Sequence, residues 1–132
     1  MKKVWTNGCF DVMHRGHIEM LLYAKELGDY LIVGIDSDEK VTQNKGPLRP
    51  INCQEDRKYM LEALKEVDEV VVFNSADELA RLIQSHRPSY MVVGSDWRGK
   101  KIIGAEYTQE VKFFERIGSY STTNIIERIK EI

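Results

Sequence analysis

The sequence predicts an α/β domain in which a parallel sheet of about five strands carries helices on both faces. Short apolar segments of strand length alternate along the chain with segments of helical periodicity. Most connections between them are short, and strands and helices that alternate in this way form parallel sheets with right-handed crossovers. We therefore expect a single Rossmann-like domain over residues 1–132.

The individual elements are predicted from apolar pattern, caps and chain breakers. Apolar runs predict strands at 2–8, 29–36, 68–73 and 89–96, and a weaker strand at 110–116. Helical spacing predicts helices at 16–28, 52–67, 75–87 and 122–132. Gly28 is placed to end the first helix, and Asn52 and Ser75 are placed to cap the second and third. The polar segment 37–51, which contains two prolines, is predicted to be a loop, and 95–105 to be irregular.

Composition limits the partners of this domain. The chain is 42% hydrophobic, enough to bury a core, and its net charge of −2 gives no bulk affinity for nucleic acid or anionic membranes. Cys9 and Cys53 match no metal or redox spacing and are interpreted as reduced thiols. There is no apolar run of the ~20 residues that a membrane span needs, and no signal-like N-terminus. We expect a cytoplasmic protein with no nucleic-acid or membrane partner.

Unusual residues gather just after the predicted strands, in the segments 7–17, 36–50, 94–104 and 116–123. In open parallel sheets, ligands bind outside the carboxyl ends of the strands. This coincidence predicts a functional site at that edge of the sheet.

The segment "TNGCFDVMHRGH" (6–17) forms one corner of that site. Gly8 would allow close approach of a ligand or a turn with positive φ. A helix that begins near Gly16 would direct its N–H groups and positive dipole end at an anion, which His14 and His17 would face from the same side. Alternatively, Asp11 or His14 is a helix cap and the other histidine is incidental. Paired histidines could also bind zinc, but only His86 remains as a further histidine ligand, so we expect no protein-held metal.

Two imidazoles and a helix N-terminus suit phosphoryl transfer, because they place donors around the charged oxygens in advance. "NGCFDVMHRGH" contains H-x-G-H and resembles the signature of the nucleotidyltransferase superfamily that includes the small cytidylyltransferases. "STTNII" (121–126) resembles the motif that opens the last helix of those enzymes, and "RK" at 57–58 falls where they carry an arginine. The resemblance spans nearly the whole chain in the same order.

The resemblance implies transfer of a nucleoside monophosphate from ATP or CTP to a phosphorylated sugar or polyol, with release of pyrophosphate. A phosphate monoester with a second pKa near ~6 is already ionised at pH 7, so this nucleophile needs no general base. The triphosphate would bring the cofactor, Mg²⁺, with it. Catalysis would then consist of orientation and charge stabilisation.

The resemblance also implies roles for individual residues. His14 and His17 would contact the phosphates around the reacting phosphorus. The triphosphate would lie against a segment that comprises Gly8, Cys9, Phe10, Asp11 and Gly16. The family often has threonine where Cys9 stands, and we interpret Cys9 as a small neighbour of the phosphates and not as a nucleophile.

Cations and hydroxyls elsewhere would complete the site. Lys45, and less strongly Arg49, would neutralise phosphate from the predicted loop, unless they are simply solvated. Arg57 lies near a helix start, where a cation opposes the dipole, which suggests an anionic partner or a salt bridge to an acid such as Asp56 or Asp36. Ser121, Thr122 and Thr123 would form a second phosphate cradle, beyond the single hydroxyl that a cap needs. The altered spacing before this motif leaves the role of Arg116 open.

"GSDWRGKK" (94–101) nearly fits a P-loop, but Lys101 stands where a hydroxyl would have to hold Mg²⁺. The stretch instead resembles a segment of the glycerol-3-phosphate cytidylyltransferases that lies near the nucleotide. This implies that Asp96 and Trp97 contact the base or ribose, with Trp97 stacking. The competing interpretation of Trp97 is a core residue.

Two families compete for the substrate. "NGCFD", "KGPLRPIN" and "IIGAE" resemble the adenylyltransferase domain of enzymes that make ADP-heptose from a heptose 1-phosphate, which we favour. "GSDW-RGK" favours a glycerol-3-phosphate cytidylyltransferase. A non-catalytic nucleotide-binding module is the alternative of another class. Relatives of this size are often dimers, so a homodimer is expected.

Overall fold

The computed structural model describes residues 1–116 and 118–132. Five strands follow one another as β1 (Lys3–Gly8), β2 (Tyr30–Asp36), β3 (Glu69–Phe73), β4 (Tyr90–Gly94) and β5 (Glu110–Phe114). The α-helices are α1 (Arg15–Glu26), α2 (Asp38–Lys45), α3 (Gln54–Glu62), α4 (Ala76–His86) and α5 (Thr122–Lys130). Two short 3₁₀ turns, Ser95–Trp97 and Ala105–Tyr107, lie in the stretch between β4 and β5 that was predicted to be irregular.

The strands form one parallel sheet in the order β3-β2-β1-β4-β5. The chain moves outward from β1 through β2 to β3, and then crosses to the other side of β1 for β4 and β5. The strand order therefore reverses between β1 and β4, and this switch point opens a crevice at the carboxyl edge of the sheet. The predicted Rossmann-like sheet of five parallel strands is confirmed.

Each face of the sheet has its own apolar core. On one face, Leu21 and Ala24 of α1 and Leu61 of α3 pack against the sheet. On the other face, Leu79 and Ile83 of α4 pack around the fully buried Trp5. Helices thus cover both faces, as predicted, and the central strands are apolar on both sides. None of the helices in the described residues is long and apolar enough to cross a bilayer.

The prediction of a loop over 37–51 was wrong, because α2 occupies its first half. Ser37 caps this helix by accepting a hydrogen bond from Lys40 N, and two acids occupy the first turn. Gly46, at φ 100°, ends the helix. Only Val41 of α2 is buried, so the helix lacks the apolar stripe by which periodicity would have revealed it.

The cap predicted for the third helix in the chain, α3, was also wrong. Its N-cap is Cys53 rather than Asn52, and the Cys53 side chain makes no capping hydrogen bond. The Ser75 cap of α4 is confirmed, since its hydroxyl accepts from Glu78 N at 3.1 Å. The helix α1 ends at Glu26, with Gly28 just beyond it as predicted.

Candidate active site

A cleft of about 740 Å³ lies over the carboxyl ends of the strands. It brings together ten of the predicted site residues: Gly8, His14, Gly16, His17, Lys45, Asp96, Trp97, Ser121, Thr122 and Thr123. Four others, Cys9, Phe10, Asp11 and Arg57, do not line it. The strand ends therefore locate the cleft, and four residues of the predicted site lie outside its lining.

Backbone hydrogen bonds orient both histidine rings. His14 is the N-cap of α1, and its Nδ1 accepts from Gly16 N at 3.1 Å. The Nδ1 of His17 accepts from His14 N at 3.2 Å, and the two rings stack with centroids 3.9 Å apart. A nitrogen that accepts from an N–H carries no proton, so the neutral tautomer of each ring has its proton on Nε2. The sequence left a helix cap and a functional histidine pair as alternatives. In the structure, His14 caps α1 and also stacks against His17, so the two arrangements coexist.

Both rings are held neutral. Burial lowers the pKa of His17 to about 4, and the nearby His14, Lys45 and Arg116 act in the same direction. Burial also lowers the pKa of His14, with a further contribution from Arg116. At pH 7 the cleft therefore contains two uncharged N–H donors rather than two imidazolium ions.

The glycine of H-x-G-H is required by packing. A Cβ on Gly16 would lie 2.9 Å from Cε1 and 3.0 Å from Nδ1 of His14, and 3.2 Å from Cβ of Tyr120. Any side chain at this position would push the His14 ring away from its hydrogen bond with the helix N-terminus. The absence of a side chain at Gly16 thus lets the His14 ring keep its position at the helix N-terminus.

The corner before α1 is turned by Phe10 and Val12, which have φ values of 53° and 49°. Positive φ is costly for a residue with a side chain, and most of all for a β-branched one, and such strain is typical of functional sites. Gly8 was expected to allow either close approach or positive φ, but its φ is not positive. It leaves room for the Phe10 ring, which a Cβ would approach to 3.3 Å.

Asp11 and Arg57 are buried and bind the segments around the cleft to one another, and the expectation that they contact a ligand stays a prediction. Asp11 is buried and accepts from the backbone N–H groups of Ile51 and Asn52 at 2.6 and 2.9 Å. Arg57 is fully buried and donates to the carbonyl oxygens of Cys9, Asp36 and Asn52 and to the carboxylate of Asp38. The alternative prediction for Arg57, a salt bridge to a nearby acid, is confirmed, although the partner is Asp38, at 2.8 Å, and not Asp56 or Asp36.

Phe10 and Cys9 also lie outside the lining. Phe10 belongs to the core beneath α1, and its ring packs against His17 with centroids 5.1 Å apart. Burial raises the pKa of the Cys9 thiol, so this sulfur is protonated at neutral pH. A protonated thiol beside the cleft fits the interpretation that Cys9 is not a nucleophile.

The hydroxyls at the start of α5 have unequal roles. Ser121 caps the helix by accepting from Asn124 N at 2.9 Å. Thr122 donates to the carbonyl oxygen of Asp11 at 2.7 Å and so ties α5 to the corner before α1. Thr123 is exposed, and its hydroxyl has no hydrogen-bond partner among the described residues. The N-termini of two helices, α1 and α5, therefore meet at the cleft, each with N–H groups directed outward.

Cations surround this meeting point. Lys45 lies at the end of α2, and Lys40 of the same helix pairs with Asp36 at 3.5 Å. Arg116 pairs with Asp96 at 3.5 Å, and Lys101 lines the same wall of the cleft. A chain with a net charge of −2 thus concentrates four cations in one crevice.

Trp97 is 47% exposed on the 3₁₀ turn after β4, so it is not the core residue of the competing interpretation. Lys100 Nζ lies 5.9 Å from its ring centroid. Asp96 precedes it in the same turn and lies close to Gly94, where a Cβ would approach Asp96 Oδ1 to 2.6 Å. This arrangement leaves an aromatic surface beside a carboxylate at the mouth of the cleft.

Sequence reasoning missed several residues of the lining. Among them are Asn7, Asp36, Lys40, Asn44 and Tyr120. Asn7 and Asp36 stand at the ends of β1 and β2, and their position alone could have revealed them. Lys40 and Asn44 were hidden by the mistaken loop. Tyr120 lies parallel to His14 at 6.2 Å, a contact between distant segments that has no local signal.

Comparisons with known proteins agree with this geometry. A family model described as cytidylyltransferase-like matches residues 5–128. The bifunctional protein HldE of Campylobacter fetus subsp. fetus (strain 82-40) is 49% identical over 127 residues, which are 96% of this chain and 28% of that protein. HldE of Helicobacter pylori (strain Shi470) is 49% identical over 129 residues, with 98% and 28% coverage. The chain thus spans less than a third of the length of these relatives.

Solved structures show the same fold. The lipopolysaccharide core biosynthesis protein from Thermoplasma volcanium GSS1 superposes with a TM-score of 0.70 at 28% identity, over 92% of this chain and 99% of that one. Pantothenate synthetase from Thermus thermophilus has a TM-score of 0.63 at 15% identity, over 99% of this chain and 64% of that one, a likeness of fold alone.

A five-stranded parallel sheet with an H-x-G-H helix N-terminus at its switch point defines a nucleotidyltransferase domain. The match over residues 5–128 then assigns it: the chain belongs to the cytidylyltransferase-like family.

Proposed function

We propose that this domain transfers AMP from ATP to a heptose 1-phosphate and releases pyrophosphate. The observation that carries the proposal is the pair of neutral imidazoles at the N-terminus of α1, with both Nδ1 atoms committed to backbone N–H groups. The sugar and the base rest on the sequence resemblance to ADP-heptose-forming adenylyltransferases and on the HldE relatives.

In this reaction an oxygen of the sugar phosphate attacks the α-phosphorus of ATP, and the bond to the pyrophosphate oxygen breaks. The attacking oxygen is already ionised, so no residue has to remove a proton. His14 and His17 would donate their Nε2 protons to phosphate oxygens that gain charge in the transition state. Lys45, Arg116 and the N-termini of α1 and α5 would add positive potential to the same region.

Ser121, Thr122 and Thr123 would contribute backbone N–H groups and one hydroxyl, that of Thr123, to the triphosphate. Gly8 and Gly16 would allow its close approach. Asp96 and Trp97 would contact the base or ribose. The positions of these residues on the lining of the cleft support the assignments.

Mg²⁺ would enter with the triphosphate. Among the described residues there is no group of three or more histidines, cysteines and acids that could hold a metal ion. The two cleft carboxylates, Asp36 and Asp96, each lie beside a cation. Such a site fits Mg²⁺ that is bound mainly by substrate phosphates, where it neutralises charge and keeps the triphosphate in one conformation.

The test is pyrophosphate release with Mg²⁺, in which ATP and CTP are each combined with heptose 1-phosphate and with glycerol 3-phosphate. We expect release only with ATP and heptose 1-phosphate. Release only with CTP and glycerol 3-phosphate would favour the second candidate, which the Asp96–Trp97 segment supports. Release with no combination, together with nucleotide binding, would point to a non-catalytic module.

The catalytic assignment is tested by His14→Asn and His17→Asn. Asparagine keeps an acceptor near the position of Nδ1 and removes the Nε2 donor, so the fold should survive. We expect each variant to lower kcat by about 10²- to 10³-fold, as for loss of one preorganised donor. Normal rates in both variants would contradict the assignment.

Three further expectations stay predictions. They are a single domain over residues 1–132, a homodimer and a cytoplasmic location. Sedimentation equilibrium tests the second of these.

A further inference from the structure

The fully buried Trp5 makes one polar contact through its side chain, and that contact reaches the cleft. Its Nε1–H donates to Oδ1 of Asn7 at 2.9 Å. Trp5 and Asn7 are two residues apart on β1, so their side chains lie on the same face of the sheet. Asn7 in turn lines the cleft.

This hydrogen bond fixes which end of the Asn7 amide faces the ligand. An indole N–H can only donate, so it selects the amide oxygen and leaves Nδ2 with its two protons for other partners. Nδ2 has no acceptor among the described residues. Asn7 therefore presents two donors at the cleft in a single orientation.

The neighbouring strand is shaped to permit this arrangement. Asn7 pairs with Gly34 of β2, and a Cβ on Gly34 would lie 2.7 Å from Cζ2 of Trp5 and 3.3 Å from Cβ of Asn7. A side chain at position 34 would displace the indole that holds the amide.

The strand registers place Asn7 among groups that suit a neutral, hydroxyl-rich ligand. Gly34 and Asp36 share a face, and Asp36 pairs with Phe73 of β3, so Asn7, Asp36 and Phe73 lie on the same face of the sheet. All three line the cleft. An amide donor, a carboxylate acceptor and an apolar floor are complementary to a polyol with hydroxyl groups and C–H faces.

This face lies opposite the histidines. His14 and His17 belong to α1, which packs on one face, whereas Trp5 belongs to the core formed with α4 on the other. A ligand that places its phosphate at the histidines and spans the cleft would bring its uncharged part to Asn7. Asp96 and Trp97 follow β4, on the far side of β1, so Asn7 and Asp36 are left for the acceptor.

We propose that Asn7, oriented by Trp5, is a substrate-binding residue that donates hydrogen bonds to hydroxyl oxygens of the acceptor sugar. Asp36 accepts from hydroxyls of the same sugar. Trp5 is a positioning residue, since it acts only through the Asn7 amide. The inference rests on the proposed function and names the part of the cleft that selects its acceptor.

The test is Asn7→Asp, assayed for KM with each substrate. Aspartate keeps the oxygen that accepts from Trp5 and replaces the two donors with a second acceptor. We expect the KM for heptose 1-phosphate to rise at least 10-fold and the KM for ATP to stay within 2-fold. Gln43→Glu is the matched control, because it makes the same amide-to-carboxylate change on an exposed position of α2 outside the lining, and it should alter neither KM.

Trp5→Phe tests the positioning role. It removes the indole donor and keeps a buried ring, and we expect a rise of about 3-fold in the KM for the sugar phosphate with little change in kcat. In the Asn7→Asp background it should add no further rise, because the amide it orients is gone. If the effects of the two substitutions on the KM for the sugar phosphate were additive, Trp5 would not act through the Asn7 amide, and its role would be in stability alone.

The outcomes separate the two proposals. If wild-type protein turns over ATP and heptose 1-phosphate but Asn7→Asp leaves the sugar KM unchanged, the inference fails and the proposed function stands. An equal rise in the KM for ATP would assign Asn7 to the nucleotide and also overturn the inference. Absence of wild-type turnover overturns the proposed function, and the inference with it.

Discussion

Two backbone hydrogen bonds decide the chemistry of the cleft histidines. Each Nδ1 accepts from a backbone N–H group at the start of α1, that of the N-cap His14 or that of Gly16, so each Nε2 carries the proton. A free histidine pair could bind metal or exchange protons, whereas each ring of this pair is neutral and keeps one N–H group, at Nε2, for another partner. The hydrogen-bonding capacity of the two rings thus follows from their capping positions and not only from their identity.

Gly16→Ala should separate activity from stability. The new Cβ would lie 2.9 Å from Cε1 of His14, so the ring must rotate and lose its cap hydrogen bond. Alanine favours the helix by up to ~1 kcal/mol, which offsets part of the strain. We expect kcat/KM to fall about 100-fold while the free energy of unfolding in urea changes by less than ~1 kcal/mol.

Gly28→Ala, just beyond the other end of α1, is the control for this prediction. There a Cβ would lie 2.6 Å from the carbonyl oxygen of Lys2, outside the cleft. This variant should lose stability and retain kcat/KM once folded. If Gly16→Ala behaved in the same way, the proposed role of Gly16 in placing His14 would be wrong.

At the scale of elements, Arg57 joins the segments that carry the site. From α3 it donates to Cys9 after β1, to Asp36 at the end of β2 and to Asn52 before its own helix. Three carbonyl groups and one carboxylate converge on one buried guanidinium, so Arg57 ties the loops around the cleft to one another.

Arg57→Lys should therefore lower stability. An ammonium group cannot reproduce the planar fork of donors, and the buried carbonyls would lose partners. We expect the free energy of unfolding to drop by about 3 kcal/mol or more, measured by urea denaturation. Arg81→Lys, an exposed position on α4, should change it by less than ~0.5 kcal/mol. Unchanged stability of Arg57→Lys with lost activity would instead support the prediction that Arg57 contacts an anionic substrate.

The same elements show how far the sequence can be interpreted. The predicted strand ends located the cleft, because the loops that follow parallel strands all lie at the carboxyl edge of the sheet. This rule can be applied to the sequence alone. The sequence could not show that Arg57 is buried, because three of its four hydrogen-bond acceptors are backbone carbonyls, which have no sequence signature. Helix α2 differs, because its Ser37 cap and Gly46 stop are plain signals in the sequence, whereas the polar composition of the segment favours a loop.

At the scale of the whole molecule, the two faces of the sheet carry different cores and bring different residues to the cleft. The helices α1 and α3 build the core beneath the corner between β1 and α1, and α4 builds the core that contains Trp5, the hydrogen-bond donor to Asn7. The cleft crosses the carboxyl edge between them. A substrate with a charged end and a neutral end matches this division.

The buried histidines should make the stability of the molecule depend on pH. His17 has a pKa of about 4 in the folded protein and an ordinary value near ~6.5 when unfolded. Between these values the unfolded chain binds a proton that the folded protein does not, so stability rises with pH across this window. Burial also lowers the pKa of His14, which makes stability rise with pH in the same sense. On going from pH 7 to pH 4, we expect a loss of about 2 to 3 kcal/mol that arises from His17.

His17→Asn isolates this effect, because it removes the titrating ring and keeps an acceptor for His14 N. Urea denaturation at half-unit steps from pH 4 to pH 7 should give a flatter dependence for the variant than for the wild type. The lowered pKa of Asp68 affects stability only at more acidic pH, below this window. If the two proteins lose stability in parallel, His17 is not the group that the fold keeps neutral, and the assignment of a preformed neutral donor pair would have to be given up.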